Sequence, residues 1–149
     1  MASWPPADGD PRAPLTEALD TILRLGLRPA KLIDAPEAFV LAQALDPSVE
    51  PSTPLENALA VEERVLILLE EVFGSGQAGM AIRLLLGACP DSRSLPLKSR
   101  RKLAAEELDM QVATFLKNYE ADLLEDVLIE ILRRCNANAP SHAESGILS

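Results

Sequence analysis

The sequence predicts an all-α fold, a compact bundle of six to seven helices that closes with a C-terminal helix-turn-helix-like unit. Apolar residues recur three and four positions apart through most of the chain, and no segment alternates as a half-buried strand would. Hydrophobic residues make up 48% of the composition and aromatic ones only 3%, so leucine and alanine have to fill the core, which favours helices over sheets. Proline, glycine and small polar residues fall at the ends of the periodic stretches, where helices start and stop. A chain of 149 residues is expected to form one domain, long enough to bury a real core. The periodic part spans residues 14–134. Residues 1–13, with Trp4, three prolines, Gly9 and two aspartates, read as a disordered N-terminal arm, and residues 135–149 as a disordered polar tail.

The first helix starts at Pro14, buries Leu15, Leu19, Ile22, Leu23 and Leu25, and stops at Gly26. Residues 28–34 have room for a helical turn or two. A further helix over residues 36–45, capped by Asp34 or Ala35, ends ahead of Asp46-Pro47. Thr53-Pro54-Leu55-Glu56 is the clearest local signal: a threonine cap, a proline at the first helical position, and a glutamate placed to reach back to the cap's N–H. The long helix it opens keeps its period through Leu55, Ala58, Leu59, Val65, Leu66, Leu69, Val72 and Phe73 and ends at Gly74. Gly74-Ser-Gly76-Gln-Ala-Gly79 matches G-x-G-x-x-G. The residues ahead of it are helical rather than strand-like, however, and the acidic residue that should follow about 20 positions later is missing, so it reads as a connector and not a nucleotide cradle. A nearly all-apolar helix over Gln77–Leu86 then places Met80, Ile82, Leu84, Leu85 and Leu86 centrally in the core. Residues 87–96, with prolines at 90 and 96, form a second linker.

The stretch that follows organises the rest. Leu97, Arg101, Ala104, Ala105 and Leu108 sit at offsets of three and four, and Asp109 follows where a left-handed residue stops a helix. A second helix starts near Gln111, with Val112, Phe115, Leu116 and Tyr119 as its stripe. The order Leu-Ala-Ala-x-x-Leu, turn, Met-x-Val-x-x-Phe resembles the helix-turn-helix of bacterial regulators, in which a small alanine lets two helices cross closely. It departs from that pattern in having aspartate at the turn and Lys117 as the only cation of the reading helix. Beyond Tyr119 the positions Leu123, Leu124, Val127, Leu128, Ile131 and Leu132 continue a stripe. Either one helix runs over residues 111–134, or it breaks near Glu120 and restarts at Asp122. Candidate contacts to a partner or to DNA are Lys98, Arg100, Arg101, Lys102 and Lys117, with Gln111, Thr114 and Asn118 near base edges. Leu116, Leu124 and Leu128 are candidates for a hydrophobic interface wherever the core leaves them uncovered.

A formal charge of −9 argues against a general nucleic-acid binder, because affinity for DNA rests on cations that displace counterions from phosphates. Residues 97–134 are the least acidic segment, with seven cations against eight anions, and the cations at 98, 100, 101 and 102 form a local patch. An enzyme is the poorest fit. The sole histidine, His142, falls in the tail, and the pairs Glu62-Glu63, Glu70-Glu71 and Glu106-Glu107 are adjacent on helices and point in different directions. No cofactor and no metal is implied. Cys89 and Cys135 lie far apart without metal-ligand neighbours, and the N-terminus lacks the apolar core of a secretory signal, so a reduced cytoplasmic protein is expected. No apolar run approaches the roughly 20 residues needed to cross a bilayer.

The run from Ser94 through Leu97-Lys-Ser-Arg-Arg-Lys-Leu-Ala-Ala-Glu-Glu-Leu108 and Asp109-Met-Gln-Val-Ala-Thr-Phe115 to Leu124 looks like small helical modules of actinobacterial proteins. In these, a similar pseudo helix-turn-helix closes an all-helical domain beside or fused to effectors of conflict and signalling systems. The resemblance implies a non-catalytic adaptor or effector-associated module that positions another protein or assembles with copies of itself. It transfers no catalytic residue and leaves the partner open. The alternative is a helix-turn-helix transcriptional regulator that binds duplex DNA.

Overall fold

The structure, a computed structural model, describes residues 10–137, and among them are eight α-helices, seven of at least seven residues, and no strand. The arm through residue 9 and the tail from residue 138, with Trp4 and His142, lie outside the described residues. Helix α1 (Arg12–Leu25) begins two residues ahead of Pro14. Proline is tolerated in a first turn, where its missing N–H has no intrahelical acceptor. Arg12 and Ala13 are therefore helix rather than arm, and the Arg12 guanidinium pairs with Glu125 at 2.5 Å.

Helix α2 (Pro29–Leu32) is a single turn. The helix expected over residues 36–45 is split into a 3₁₀ turn, Pro36–Ala38, and α3 (Phe39–Leu45). Of the two expected caps Ala35 holds the position, but it has no side-chain acceptor, and the backbone tightens into an Ala38 N–H to Ala35 carbonyl bond of 3.1 Å. Helix α4 (Pro54–Phe73) starts at the expected cap, where Thr53 Oγ1 accepts the Glu56 N–H at 3.1 Å. The Glu56 carboxylate does not return to Thr53 but accepts from the Ser52 hydroxyl.

After α5 (Gln77–Leu86) come α6 (Leu97–Glu107), α7 (Val112–Asn118) and α8 (Glu120–Ala137). The long C-terminal stripe thus breaks at Tyr119, whose φ of −121° leaves the helical region. Helix α8 restarts at Glu120, two residues before the expected Asp122, and runs through residues 135–137, which the sequence assigns to the tail.

Helix α3 packs on both α4 and α8, and α1 covers α3, the 3₁₀ turn and α8. The most extensive helix pair is α5 with α6, where Ala104 and Ala105 are fully buried and their small side chains permit close approach. Phe115 seats α7 in the core formed by Leu15, Ile22, Leu41, Leu69, Ile82, Leu85 and Ile131, all fully buried. Burying each such aliphatic side chain contributes about 1.5–3 kcal/mol.

Candidate functional site

Asp109 makes the turn of the helix-turn-helix-like unit. It is the only non-glycine with positive φ among the described residues, at 57°, and it follows the end of α6. Its N–H bonds the Glu106 carbonyl and that of Met110 bonds the Ala105 carbonyl, both at 3.0 Å, which is the Schellman pattern of a left-handed helix stop. Aspartate adopts this conformation at lower cost than most side chains because its short polar group bonds locally.

The cations that the sequence groups into one patch part company in space. Lys98 and Lys102 on α6 and Lys117 on α7 are exposed and make no ion pair among the described residues. Arg100 is a correction: it is not on the surface but 1% exposed, with its donors turned into the fold. Its Nε donates to the Leu95 carbonyl at 3.0 Å, Nη1 to that of Leu85 at 2.6 Å and Nη2 to that of Arg24 at 3.0 Å. Leu85 and Arg24 lie in the last turns of α5 and α1, whose final carbonyls have no N–H partner within their own helices. One guanidinium thus caps two helix ends, where the helix dipoles favour a cation. Burial lowers its pKa, with repulsion from Arg101 second, but an arginine remains charged.

Arg101 is also withdrawn from the surface patch. Its Nε and Nη2 form a fork with Glu120 at 2.7 and 2.8 Å, and that hydrogen bonding raises its pKa. The fork ties α6 to the first turn of α8, across the turn.

Gln111, Thr114, Lys117 and Asn118 all remain solvent-facing along α7. Of the three hydrophobic candidates, Leu116 is exposed, Leu124 is half-buried, and Leu128 belongs to the core at 4% exposure, a second correction. Apolar exposure is larger elsewhere. Leu55, Leu59 and Ile67 on α4 keep between 38% and 49% of their surface in solvent, and Tyr119 and Ile129 are exposed beside α7 and on α8.

Sequence periodicity assigned Leu55, Leu59 and Val72 to the core stripe of α4, whereas Val61 and Leu68 take those buried positions. Met80 likewise stands at the exposed edge of α5. The signal was present: α4 has apolar residues around more of its circumference than one buried face can use.

The Gly74–Gly79 segment joins two helices. Gly79 lies inside α5, where any Cβ would stand 2.7 Å from the Gly74 carbonyl oxygen and 3.0 Å from that of Phe73. The third glycine of the match therefore serves helix packing, and Arg83 donates to that same Gly74 carbonyl and to Glu70 at the end of α4.

A cleft of about 280 Å³ opens between residues 32–39 and the N-terminal half of α4, lined mainly by Leu32, Ile33, Phe39, Ala58 and Val61. Its polar rim is paired internally, since Ser52 N–H donates to Asn57 Oδ1 at 2.8 Å. The cleft thus suits an apolar side chain and offers little to orient a polar substrate.

Burial pushes the Cys89 thiol up, against a smaller pull from Arg83, and raises Cys135 as well. At both positions desolvation favours the neutral thiol. Two of the carboxylate pairs are drawn into ion pairs between elements: Glu62 with Arg93 at 2.9 Å, Glu70 with Arg83 at 3.1 Å and Glu71 with Arg134 at 2.6 Å. Among the described residues no group of three or more His, Cys, Asp or Glu is placed to hold a metal, and no helix is long and apolar enough to cross a membrane. No protein-family model, no curated protein and no solved structure matches the chain.

Proposed function

We propose that the chain is a non-catalytic protein–protein interaction module, an adaptor or effector-associated domain of a bacterial signalling or defence system. The observation that carries this is the set of large apolar side chains left in solvent on α4 and α7, Leu55, Leu59, Ile67 and Leu116. Scattered apolar residues on a surface need no explanation, but several on one helix face mark a contact surface. The resemblance of residues 94–124 to effector-associated helical modules points the same way.

Affinity purification of the tagged full chain from bacterial lysate, with Leu59→Glu and Leu116→Glu run in parallel, tests the reading. A protein retained by the parent and lost with one variant is the expected result. A monomer that retains nothing, even after chemical crosslinking, counts decisively against it.

DNA reading is favoured by one observation, the exposure of Gln111, Thr114, Lys117 and Asn118 along α7 and of Lys98 and Lys102 on α6. Against it, Arg100 is buried on backbone carbonyls and Arg101 is held by Glu120. Fluorescence anisotropy with duplex DNA at low salt separates the two: binding weaker than about 10⁻⁴ M, the weak end of non-specific affinity, removes this alternative.

A further inference from the structure

The solvent face of α4 has a chemistry specific enough to name its occupant. Leu55, Leu59 and Ile67 share roughly one third of the helix circumference with Glu56 and Glu63. Of the five glutamates of α4, Glu62, Glu70 and Glu71 pair with arginines of other elements, which leaves Glu56, bonded among the described residues only by the Ser52 hydroxyl, and Glu63 as the acidic groups of this face. The single arginine of the helix, Arg64, faces Asp46 at 3.6 Å and lies 3.9 Å from Glu63. The ridge from residue 55 to 67 is about 18 Å long at 1.5 Å per residue, the footprint of a partner helix of three to four turns.

We propose that this face docks a cationic amphipathic helix of another protein, its apolar stripe on the leucines and its lysines or arginines beside Glu56 and Glu63. The proposal rests on the interaction-module reading. A second copy of this chain is the poorer occupant, because two such faces brought together oppose carboxylates to carboxylates, and like charges across an interface are strongly unfavourable. Helix-in-groove recognition of this kind is read through apolar anchors at helical spacing, with flanking charge setting partner choice.

The test uses the full chain and three synthetic 18-residue peptides, titrated by calorimetry. One has leucines at helical spacing flanked by lysines, one has the same leucines flanked by glutamates, and one has the first peptide's composition in scrambled order. The lysine peptide should bind at least tenfold more tightly than either control. Leu59→Ser and, independently, Leu55→Ser should weaken it at least tenfold with circular dichroism and melting unchanged, whereas Leu116→Ser should not.

Equal binding of the ordered and scrambled lysine peptides reduces the effect to net charge and overturns the proposal, as does failure of the lysine peptide to bind. Loss with Leu116→Ser but not Leu59→Ser moves the docking face to α7, which sinks this proposal and leaves the module reading standing. Dimerisation in sedimentation that Leu59→Ser abolishes makes the occupant a second copy instead. If the affinity purification also retains nothing, both readings fall together.

Discussion

Helices α5 and α6 end in the same hydrogen-bond pattern built from different residues. At the end of α5, Gly87 has a φ of 75° and donates to Leu84, and Ala88 donates to Arg83; at the end of α6, Asp109 and Met110 do the same to Glu106 and Ala105. The backbone solution is shared, so the local rule does not choose the residue. The surroundings do. A Cβ on Gly87 would lie 3.3 Å from both the Gly26 Cα and the Leu27 nitrogen and 3.5 Å from the Arg100 Cδ, whereas Asp109 faces solvent. Glycine is needed where two helix ends and an arginine converge, and a polar side chain is tolerated where nothing approaches.

The largest break in this contrast should come from Arg100→Ala, which leaves one buried and two part-buried carbonyls without their donor, opens a cavity at a fully buried side chain and costs about 3–5 kcal/mol in urea unfolding. Arg100→Lys should recover less than half, because an ammonium cannot span three divergent acceptors as a planar fork does. A cost no larger than that of Lys102→Ala on the same helix, under about 0.5 kcal/mol, would show that the junction does not hold α5's end.

Next in size, Gly87→Ala should lose about 2–3 kcal/mol, combining left-handed strain with overpacking. Asp109→Gly, the mirror change, should leave stability unchanged or raise it by at most about 1 kcal/mol, since relief of strain is offset by greater freedom of the unfolded chain. Thermal melts of the pair sharpen the comparison, and a loss at Asp109→Gly matching that at Gly87→Ala would dissolve it.

The smallest effect concerns acid. Carbonyls do not titrate, so the Arg100→Ala penalty should be the same at neutral pH and at about pH 4. The end of α8 differs. Hydrogen bonding from Arg133, then Arg134, holds the Glu130 carboxyl below its ordinary 4.5. The unfolded chain therefore binds this proton more readily, and the stabilisation is present above pH 4.5 and disappears as pH falls through the lowered value. Glu130→Gln should flatten the acid limb of stability by less than about 1 kcal/mol.

Features decided by a few neighbouring residues were legible in the sequence. The Thr53-Pro54 start and the Asp109 turn follow from local backbone chemistry, and both stand where expected. The 3₁₀ turn at residues 36–38 did not show, because proline and a small apolar residue leave the choice between a tight and a full turn to the absent cap. Arg100 was hidden for a different reason. Among Lys98, Arg100, Arg101 and Lys102 nothing local distinguishes it, and its burial is set by where the ends of α1 and α5 arrive. Leu55 and Leu59 illustrate the converse limit: periodicity shows that a helix has an apolar face, but not how many neighbours will come to cover it.

The reach of Arg100 also orders events in time. Its bond to the Arg24 carbonyl spans 76 positions, and closing so long a loop loses chain entropy before any contact is gained. The Leu27 N–H already links the two helix ends through the Leu86 carbonyl, but the Arg24 and Leu85 carbonyls gain their common cation only when α6 arrives. Because α1 also packs on α8, whose Glu125 pairs with Arg12, the N-terminal helix reaches its native surroundings only once that last helix has been made.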